Sequence, residues 1–351
     1  MERITMREVA RLAGVSVTTV SRALNKDPEI SPETREKVLR VCRETGYRTN
    51  LLARSLSSSR SGVIAVILPK IENPFHAALS LQIELCARER GYQILLCRRR
   101  PKSETVEALI GFLSGEGVDG VLLPSGNIDE CALLARSSAL PSVLIGGSAP
   151  EESTLRLNSV STDNYMGGRM AASYLRRLGH RQVAYLGFRQ SSYTHILRHR
   201  GFLEGAGEVS LSPEGMPEEK MEVRTLVNPT GESTLEVGLR LGRELFARPL
   251  ACTAVFAATD TIALGVMQAA DEAGVRIPED CSLMGYDNID YAALPKIRLT
   301  TVSHSVPDLA RMGVRLLLEQ IEDPRPGEYV RRLLTPHVVE RSTCAPALPG
   351  A

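Results

Sequence analysis

Beyond residue 62 the chain alternates short apolar runs with stretches of helical spacing, and no other feature restricts its fold as tightly. Apolar runs stand at 63–68, 91–97, 118–123 and 143–145, and the segments between them, including 75–90 and 104–113, have helical periodicity. Nearly continuous apolar strands separated by helices require a parallel sheet covered on both faces, because a parallel strand pair needs a crossover. The pattern restarts after Asp163. Helices are then expected at 166–178, 235–245 and 261–272, and strands at 183–188, 254–258 and 282–286. Two such lobes in tandem leave a cleft at the carboxyl ends of their strands, where open α/β sheets bind small ligands.

The residues ahead of the lobes differ in charge and in pattern. The first sixty hold 12 Lys and Arg against 7 Asp and Glu, while the rest hold 30 against 34, so a net charge of +1 conceals a basic head on a mildly acidic body. That asymmetry predicts a polyanion partner for the head alone. Thr5 and Glu8 form a capping box that opens a first helix, on which Val9, Ala10 and Ala13 supply small apolar contacts. Gly14-Val15-Ser16 then interrupts, and Ser16 caps a second helix over 17–24. A third follows from Ser31-Pro32 to Gly46. The first two form a helix-turn-helix unit in which Val20 and Leu24 face inward and Val17, Thr18, Ser21 and Arg22 face outward.

With its second helix in the major groove, Val17 suits a thymine methyl, Thr18 suits polar or apolar contact, and Arg22 reaches guanine O6 and N7. Thr5, Arg7, Ser16, Thr19, Ser21, Asn25, Thr34 and Lys37 suit phosphate and framework roles. Helical spacing alone equally permits a solvated Arg22 and threonines that only cap. Residues 50–56 are expected to form a helix of two turns, too short to be stable alone in water, followed by a Ser- and Gly-rich linker. Such a helix needs a twin or a nucleic-acid groove to complete it.

Other classes find little support. The seven cysteines, Cys42, Cys86, Cys97, Cys131, Cys252, Cys281 and Cys344, are scattered with no Cys-x-x-Cys pair, as expected of free thiols in a reducing compartment. No secretory signal and no long uncharged apolar run is present, so a cytoplasmic location and no membrane contact are expected. Dinucleotide, phosphate-loop and nucleophile-elbow motifs are missing, which argues against an enzyme. His195 and His199 lack ligand-spaced partners, so neither a metal nor another cofactor is expected.

The run from Ile4 to Asn25, ITMREVARLAGVSVTTVSRALN, followed by ISPETREKV at 30–38, Gly46-Tyr47 and ARSL at 53–56, resembles the LacI/GalR family of bacterial regulators in order and spacing. The body agrees at TDNYMGG (162–168), LGHR (178–181), Thr259-Asp260 with Gly265, and LMGYDN (283–288). The likeness covers about residues 3–341. It implies an all-α helix-turn-helix headpiece over 1–48, a hinge helix and linker over 49–61, and a two-lobed α/β domain of the periplasmic-binding-protein type I fold over 62–341. A first lobe is expected from 62–160 and 290–320, and a second from 161–289 and 321–341. The chain would cross between them near 160, 289 and 321, giving 306–319 to the first lobe and 330–339 to the second. Residues 342–351, rich in Pro and Ala, are expected to be a disordered tail.

The same resemblance implies a homodimer, in some members a tetramer, on a near-palindromic operator in double-stranded DNA. Val17, Thr18 and Arg22 take the base-reading positions. The hinge helix that Asn50 opens docks in the minor groove, where Leu56 wedges between base pairs with Ala53 beside it. A repressor controlled by a small molecule, most simply a carbohydrate, follows. Arg200, within RHRGF at 198–202, takes a sugar-gripping position and Asp287 one that accepts ligand hydroxyls. An arginine and an aspartate facing across a cleft suit a neutral polyol, although an interlobe salt bridge would look the same in sequence. Asn73, Phe75 and His76 follow the first strand and are placed to line the cleft. Asp163 and Asp260 either touch ligand or cap helices, with capping the better reading for Asp260. Thr194 stands where purine-binding members carry arginine, which argues against a purine, and the 4% aromatic content with no Trp offers a poor platform for a sugar face. A protein partner acting on a vestigial cleft is the alternative control.

Overall fold

The computed structural model describes residues 4–24, 27–47, 60–69, 71–98, 105–124, 140–147, 156–188, 193–207, 220–229, 234–247, 251–325 and 327–347. They fall into two units, Met1–Gly62 and Val63–Ala351.

The smaller unit contains α1 (Met6–Ala13), α2 (Val17–Leu24) and α3 (Pro32–Thr45). Each starts where a side chain relieves the unpaired amides of a first turn. Thr5 and Glu8 complete their capping box, the Ser16 hydroxyl accepts from the Thr19 amide at 3.0 Å, and that of Ser31 accepts from Thr34 at 3.2 Å. The first and third end at Gly14 and Gly46, both left-handed, at φ 63° and 67°. Their apolar stripes meet in a core built on Val9, Ala13, Val20 and Val38, with Leu24 and Ile30 at its margin.

The larger unit holds two lobes. In the first pass come β1 (Val63–Leu68), α4 (Pro74–Glu89), β2 (Gln93–Arg98), α5 (Val106–Gly115), β3 (Gly120–Pro124), β4 (Ser142–Ile145) and β5 (Asn158–Thr162). The second follows with α6 (Asn164–Arg177), β6 (Gln182–Phe188), α7 (Tyr193–Gly207), β7 (Glu222–Asn228), α8 (Leu235–Phe246), β8 (Ala254–Ala257), α9 (Asp260–Ala273), β9 (Ser282–Asp287) and β10 (Thr300–Ser303). The chain then runs through α10 (Val306–Glu322), β11 (Arg331–Leu334) and β12 (His337–Val339). One sheet has the order β11-β5-β4-β3-β1-β2 and the other β12-β10-β9-β8-β6-β7. All pairs are parallel except β10 with β12. Central strands such as VIAVIL of β1 are buried along nearly their whole length, as helix cover on both faces demands.

The lobe boundaries differ from those expected. Thr300-Thr301-Val302 is a short β-branched strand that pairs with β9, so the chain stays in the second lobe until Ser303 instead of leaving near 289. Residues 331–334 pair with β5 and remain with the first sheet, whereas 337–339 pair with β10. The crossings therefore lie after Thr162, after Ser303 and between Leu334 and His337. The helix α10 packs on α4 and on β3, β4 and β5 of the first lobe.

Residues 342–347 are not a disordered tail. The Thr343 hydroxyl donates to the Leu283 carbonyl at 2.7 Å and accepts from the Thr300 amide at 2.8 Å. The Ala347 amide donates to Leu178 O at 2.7 Å. Tail backbone thus extends the polar satisfaction of the second sheet, a long-range pairing that the Pro- and Ala-rich composition conceals.

Within that lobe α6 and α7 pack backbone to backbone. A Cβ on Gly168 would stand 2.1 Å from the Arg198 carbonyl oxygen, and one on Gly201 2.1 Å from that of Tyr165. Only glycine permits this approach, which fixes how α7 lies over the strand ends. Among the described residues, no helix is long and apolar enough to cross a membrane.

Candidate ligand cleft and nucleic-acid interface

In the headpiece, helical periodicity separates core from surface on α2. Val20 and Ala23 are buried, while Val17, Thr18 and Arg22 are exposed. Thr5, Arg7 and Ser16 are exposed as well, and Thr19, Ser21 and Thr34 are half-buried. Thr5, Ser16 and Thr34 belong to caps, and the Thr19 hydroxyl shares a 2.8 Å hydrogen bond with that of Ser16. Arg22 is held at its side: Nε donates to Asp27 Oδ2 at 2.8 Å and Nη2 donates to Glu29. Asn25 and the hinge residues Asn50, Ala53 and Leu56 lie outside the described residues.

In the second lobe a buried polar cluster forms where β8 and β9 end. Arg198 on α7 is 2% exposed. Its Nη2 donates to Asn164 Oδ1 at 3.0 Å, Nη1 donates to the Ala258 carbonyl, and Nη1 stands 3.6 Å from Asp287 Oδ1. The guanidinium carbon lies 3.3 Å from the centre of the Tyr286 ring, a cation–π contact strengthened by burial. The Nε–H, also buried, has no hydrogen-bond acceptor among the described residues.

Asp287 adopts φ 113° and Asn288 φ 53°, a backbone strained for non-glycine residues that only surrounding contacts can hold. Asn288 supplies two of them: its Oδ1 accepts from Arg341 Nη2 at 2.7 Å and its Nδ2 donates to Ser303 Oγ at 3.2 Å. Asp287 also meets His304, whose Nε2 lies 3.2 Å from Oδ1 while Nδ1 lies 2.8 Å from Thr162 Oγ1. Burial lowers the His304 pKa against the opposing pull of Asp287. The neutral ring therefore donates from Nε2 to the carboxylate and accepts from the Thr162 hydroxyl at Nδ1. His304 follows β10 and Thr162 ends β5, so one imidazole joins two of the three crossing segments.

Phe75 and His76 on α4 come to the same region. The Phe75 ring centre is 5.0 Å from that of His304 and 5.8 Å from that of His76. His195 is held well below the ordinary imidazole range by burial first, then by Arg198 and by the imidazoles of His304 and His76. Thr194 is buried. Asn73 caps α4, its Oδ1 accepting from the Phe75 amide at 3.0 Å.

Two expected roles change, those of Arg200 and Asp260, and Asp163 takes the capping one of its two readings. Arg200 does not face Asp287: it lies on the surface, where Nε donates to Glu204 Oε1 at 2.6 Å. The buried arginine is Arg198. On a helix two residues are about 200° apart, so the two arginines occupy opposite faces. The buried stripe Thr194, Arg198, Gly201, Phe202, Gly205 follows helical spacing and contained the signal that identifies the inward one. Asp163 caps α6, its Oδ1 accepting from the Met166 amide at 2.8 Å. Asp260 does not cap α9, a role that Thr259 takes. It is buried, accepts from the Ile289 amide at 2.9 Å and from the Thr301 hydroxyl at 2.6 Å, and is pushed well above the usual carboxylate range by burial and by nearby Asp287. Sequence alone gives Asn164, Tyr286 and His304 no individual role and weighs His195 only as a metal ligand, because their places in the cluster depend on contacts distant in sequence.

The comparisons with known proteins agree with both units. Residues 5–50 match the model of bacterial regulatory proteins of the lacI family, and residues 172–344 match a periplasmic binding protein-like domain. The transcriptional regulator CelR of Thermobifida fusca is 34% identical over 349 residues, covering 97% of this chain and 98% of that one. A structure of a CelR–cellobiose complex is 31% identical with a TM-score of 0.68, covering 97% of this chain and all of the other. The lac repressor dimer bound to operator and the anti-inducer ONPF is 25% identical with a TM-score of 0.79, covering 98% and 100%.

Proposed function

Because the chain belongs to the LacI/GalR family of sequence-specific DNA-binding transcription regulators, we propose that it is a homodimeric repressor whose operator affinity is set by a neutral carbohydrate bound at the Arg198 cluster. The observation that carries this reading is the buried group of Arg198, Asn164 and Asp287 at the strand ends of the second lobe. It supplies fixed donors and acceptors with its charges internally paired, a match for sugar hydroxyls and a poor one for a strongly charged ligand. The buried Nε–H of Arg198 adds a donor that a ligand hydroxyl can satisfy, and leaving such a group unpaired costs about 1–3 kcal/mol. The cellobiose held by CelR supports the same ligand class.

Control follows from how Asp287 is held. A ligand that competes for its carboxylate alters the His304 contact, and through Thr162 alters two crossing segments together. Lobe closure then differs between free and loaded states, and differential affinity of the sugar for those states sets the coupling. Dimerisation is supported by exposed apolar side chains on the first lobe, Leu81 and Leu85 on α4, Leu95 and Leu96 on edge strand β2, and Phe112 on α5. In the headpiece Val17, Thr18 and Arg22 read bases, while Thr5, Arg7, Ser16, Thr19, Ser21 and Thr34 position the backbone of the duplex.

Calorimetric titration of the full chain with neutral mono- and disaccharides, sugar phosphates and nucleobases tests the ligand class. A neutral sugar should bind the wild type and fail to bind Arg198→Ala. Binding of a phosphorylated compound or a nucleobase alone would refute the carbohydrate reading, and no binding at all would favour a protein partner.

A further inference from the structure

We propose that Asp27 and Glu29 are specificity-determining positioning residues that hold Arg22 in the form in which it reads a base pair. The inference rests on the reading of Arg22 as a base-contacting residue and extends it to two acidic side chains that such a reading leaves without a role. Carboxylates beside a DNA-reading helix repel phosphate, so their presence in a basic headpiece needs a compensating function.

The geometry is that of a built clamp. The turn after α2 is tied to Arg22 at both backbone and side chain: the Asp27 amide donates to the Arg22 carbonyl at 3.0 Å, and Arg22 Nε donates to Asp27 Oδ2 at 2.8 Å. The other Asp27 carboxylate oxygen accepts from the Glu29 amide at 2.9 Å, which fixes the carboxylate and brings Glu29 to Nη2 of Arg22. Arg35 on α3 secures the turn from below, donating from Nη2 to the Asp27 carbonyl at 2.7 Å. Asp27 thus spends its polar groups on the turn and on Arg22. Glu29 is exposed and its side chain meets Arg22 alone among the described residues.

The contacts divide the guanidinium. Its Nε and one Nη2 hydrogen face the carboxylates, which leaves Nη1 and the remaining Nη2 hydrogen, a parallel pair of donors, for the O6 and N7 of a guanine. A free arginine would have to give up rotamer freedom on reaching the groove, and it would bind any nearby phosphate as readily as a base. The clamp removes most of that freedom beforehand. Its negative charge also makes an Arg22 displaced onto phosphate less favourable than one aimed at a base edge. Consistent with this arrangement, the paired carboxylates raise the Arg22 pKa, and Asp27 is lowered first by the Glu29 amide and then by Arg22.

The test uses the full-length dimer. A consensus duplex is selected from a randomised palindromic pool with the wild type. Fluorescence anisotropy at one salt concentration then measures the consensus, each single-base variant and a scrambled duplex against the wild type, Asp27→Asn, Glu29→Gln, the double variant and Arg22→Ala. Arg22→Ala should abolish preference at one base pair of each half-site. The double variant should bind the scrambled duplex several-fold more tightly and lose discrimination several-fold at that same base pair, with Glu29→Gln showing a smaller loss in the same place. A uniform change in affinity for every duplex, with discrimination at that base pair unchanged, would overturn the proposal while leaving Arg22 as a reader. If Arg22→Ala alters no base preference, the reading beneath it fails instead. Circular dichroism of Glu29→Gln, whose carboxylate has no other hydrogen bond or ion pair among the described residues, separates either result from loss of the fold.

Discussion

In the headpiece the described groups assigned to DNA stand exposed or half-buried on its three helices, those that read bases all on α2, each placed by a cap or by its position in the helical period. In the second lobe the polar cluster is assembled from α6, α7, β8, β9 and the segment after β10, and almost none of it is exposed. The contrast sets how each region should respond to change. A surface reader can exchange side chains with little effect on the fold, because water replaces every lost contact. A buried cluster cannot, since removing one partner leaves another polar group unsatisfied in a low-dielectric interior. The headpiece should therefore separate binding from stability, and the lobe should couple them.

The sharpest way to break that contrast is at the contact between α6 and α7. Gly201→Val would drive its side chain into the Tyr165 backbone, and a loss of about 3 kcal/mol or more is expected from overpacking that no side-chain movement can relieve. A two-stage thermal melt, with the first transition moved down and the ligand response gone, would report it. Arg198→Ala comes next. Stripping one member from a buried ion pair costs about 3–5 kcal/mol, whereas Arg200→Ala, two residues away on the surface, should leave melting temperature and ligand binding unchanged. Equal effects of the two would contradict the placement of Arg198.

A smaller effect is expected from pH. His304 has a lowered pKa in the folded chain, so below about pH 6.5 the unfolded chain binds the proton that the native site refuses, and stability falls as pH falls. His195 acts in the same direction, and Asp260, raised in the fold, acts oppositely. The difference between wild type and His304→Gln isolates one group. The melting temperature of the wild type should fall more steeply from about pH 7.5 to about pH 5 than that of the variant. In the headpiece, Thr5→Ala should cost about 1 kcal/mol through loss of the α1 cap. Val17→Ala should be the mildest for stability, yet it should change which duplex is selected from a random pool.

The same contrast decides what could be read from the sequence. The capping box at Thr5 and Glu8, the glycine ends of α1 and α3 and the inward Val20 are local, and each stands in the structure where periodicity puts it. The alternating pattern of the lobes is equally local, strand by strand and helix by helix. Long-range pairing was harder to read. Thr300–Ser303 could be assigned only through its register with β9, and 331–334 only through β5. Residues 342–347 look like a tail in composition, but they complete hydrogen bonds of strands far away in the chain. The choice between Arg198 and Arg200 lies between these cases. The small and apolar stripe of α7 points to Arg198, and the motif alone, with two arginines in five residues, does not.

The central claim is that the Arg198 cluster couples a carbohydrate to operator affinity. Its most direct test is operator binding by wild type and Arg198→Ala, at fixed salt, with and without the sugar found by titration. Coupling of about 1–3 kcal/mol predicts a change of about 5- to 150-fold for the wild type. The variant should bind the operator in the absence of sugar and show no change when sugar is added. A sugar response of the same size in Arg198→Ala would contradict the account.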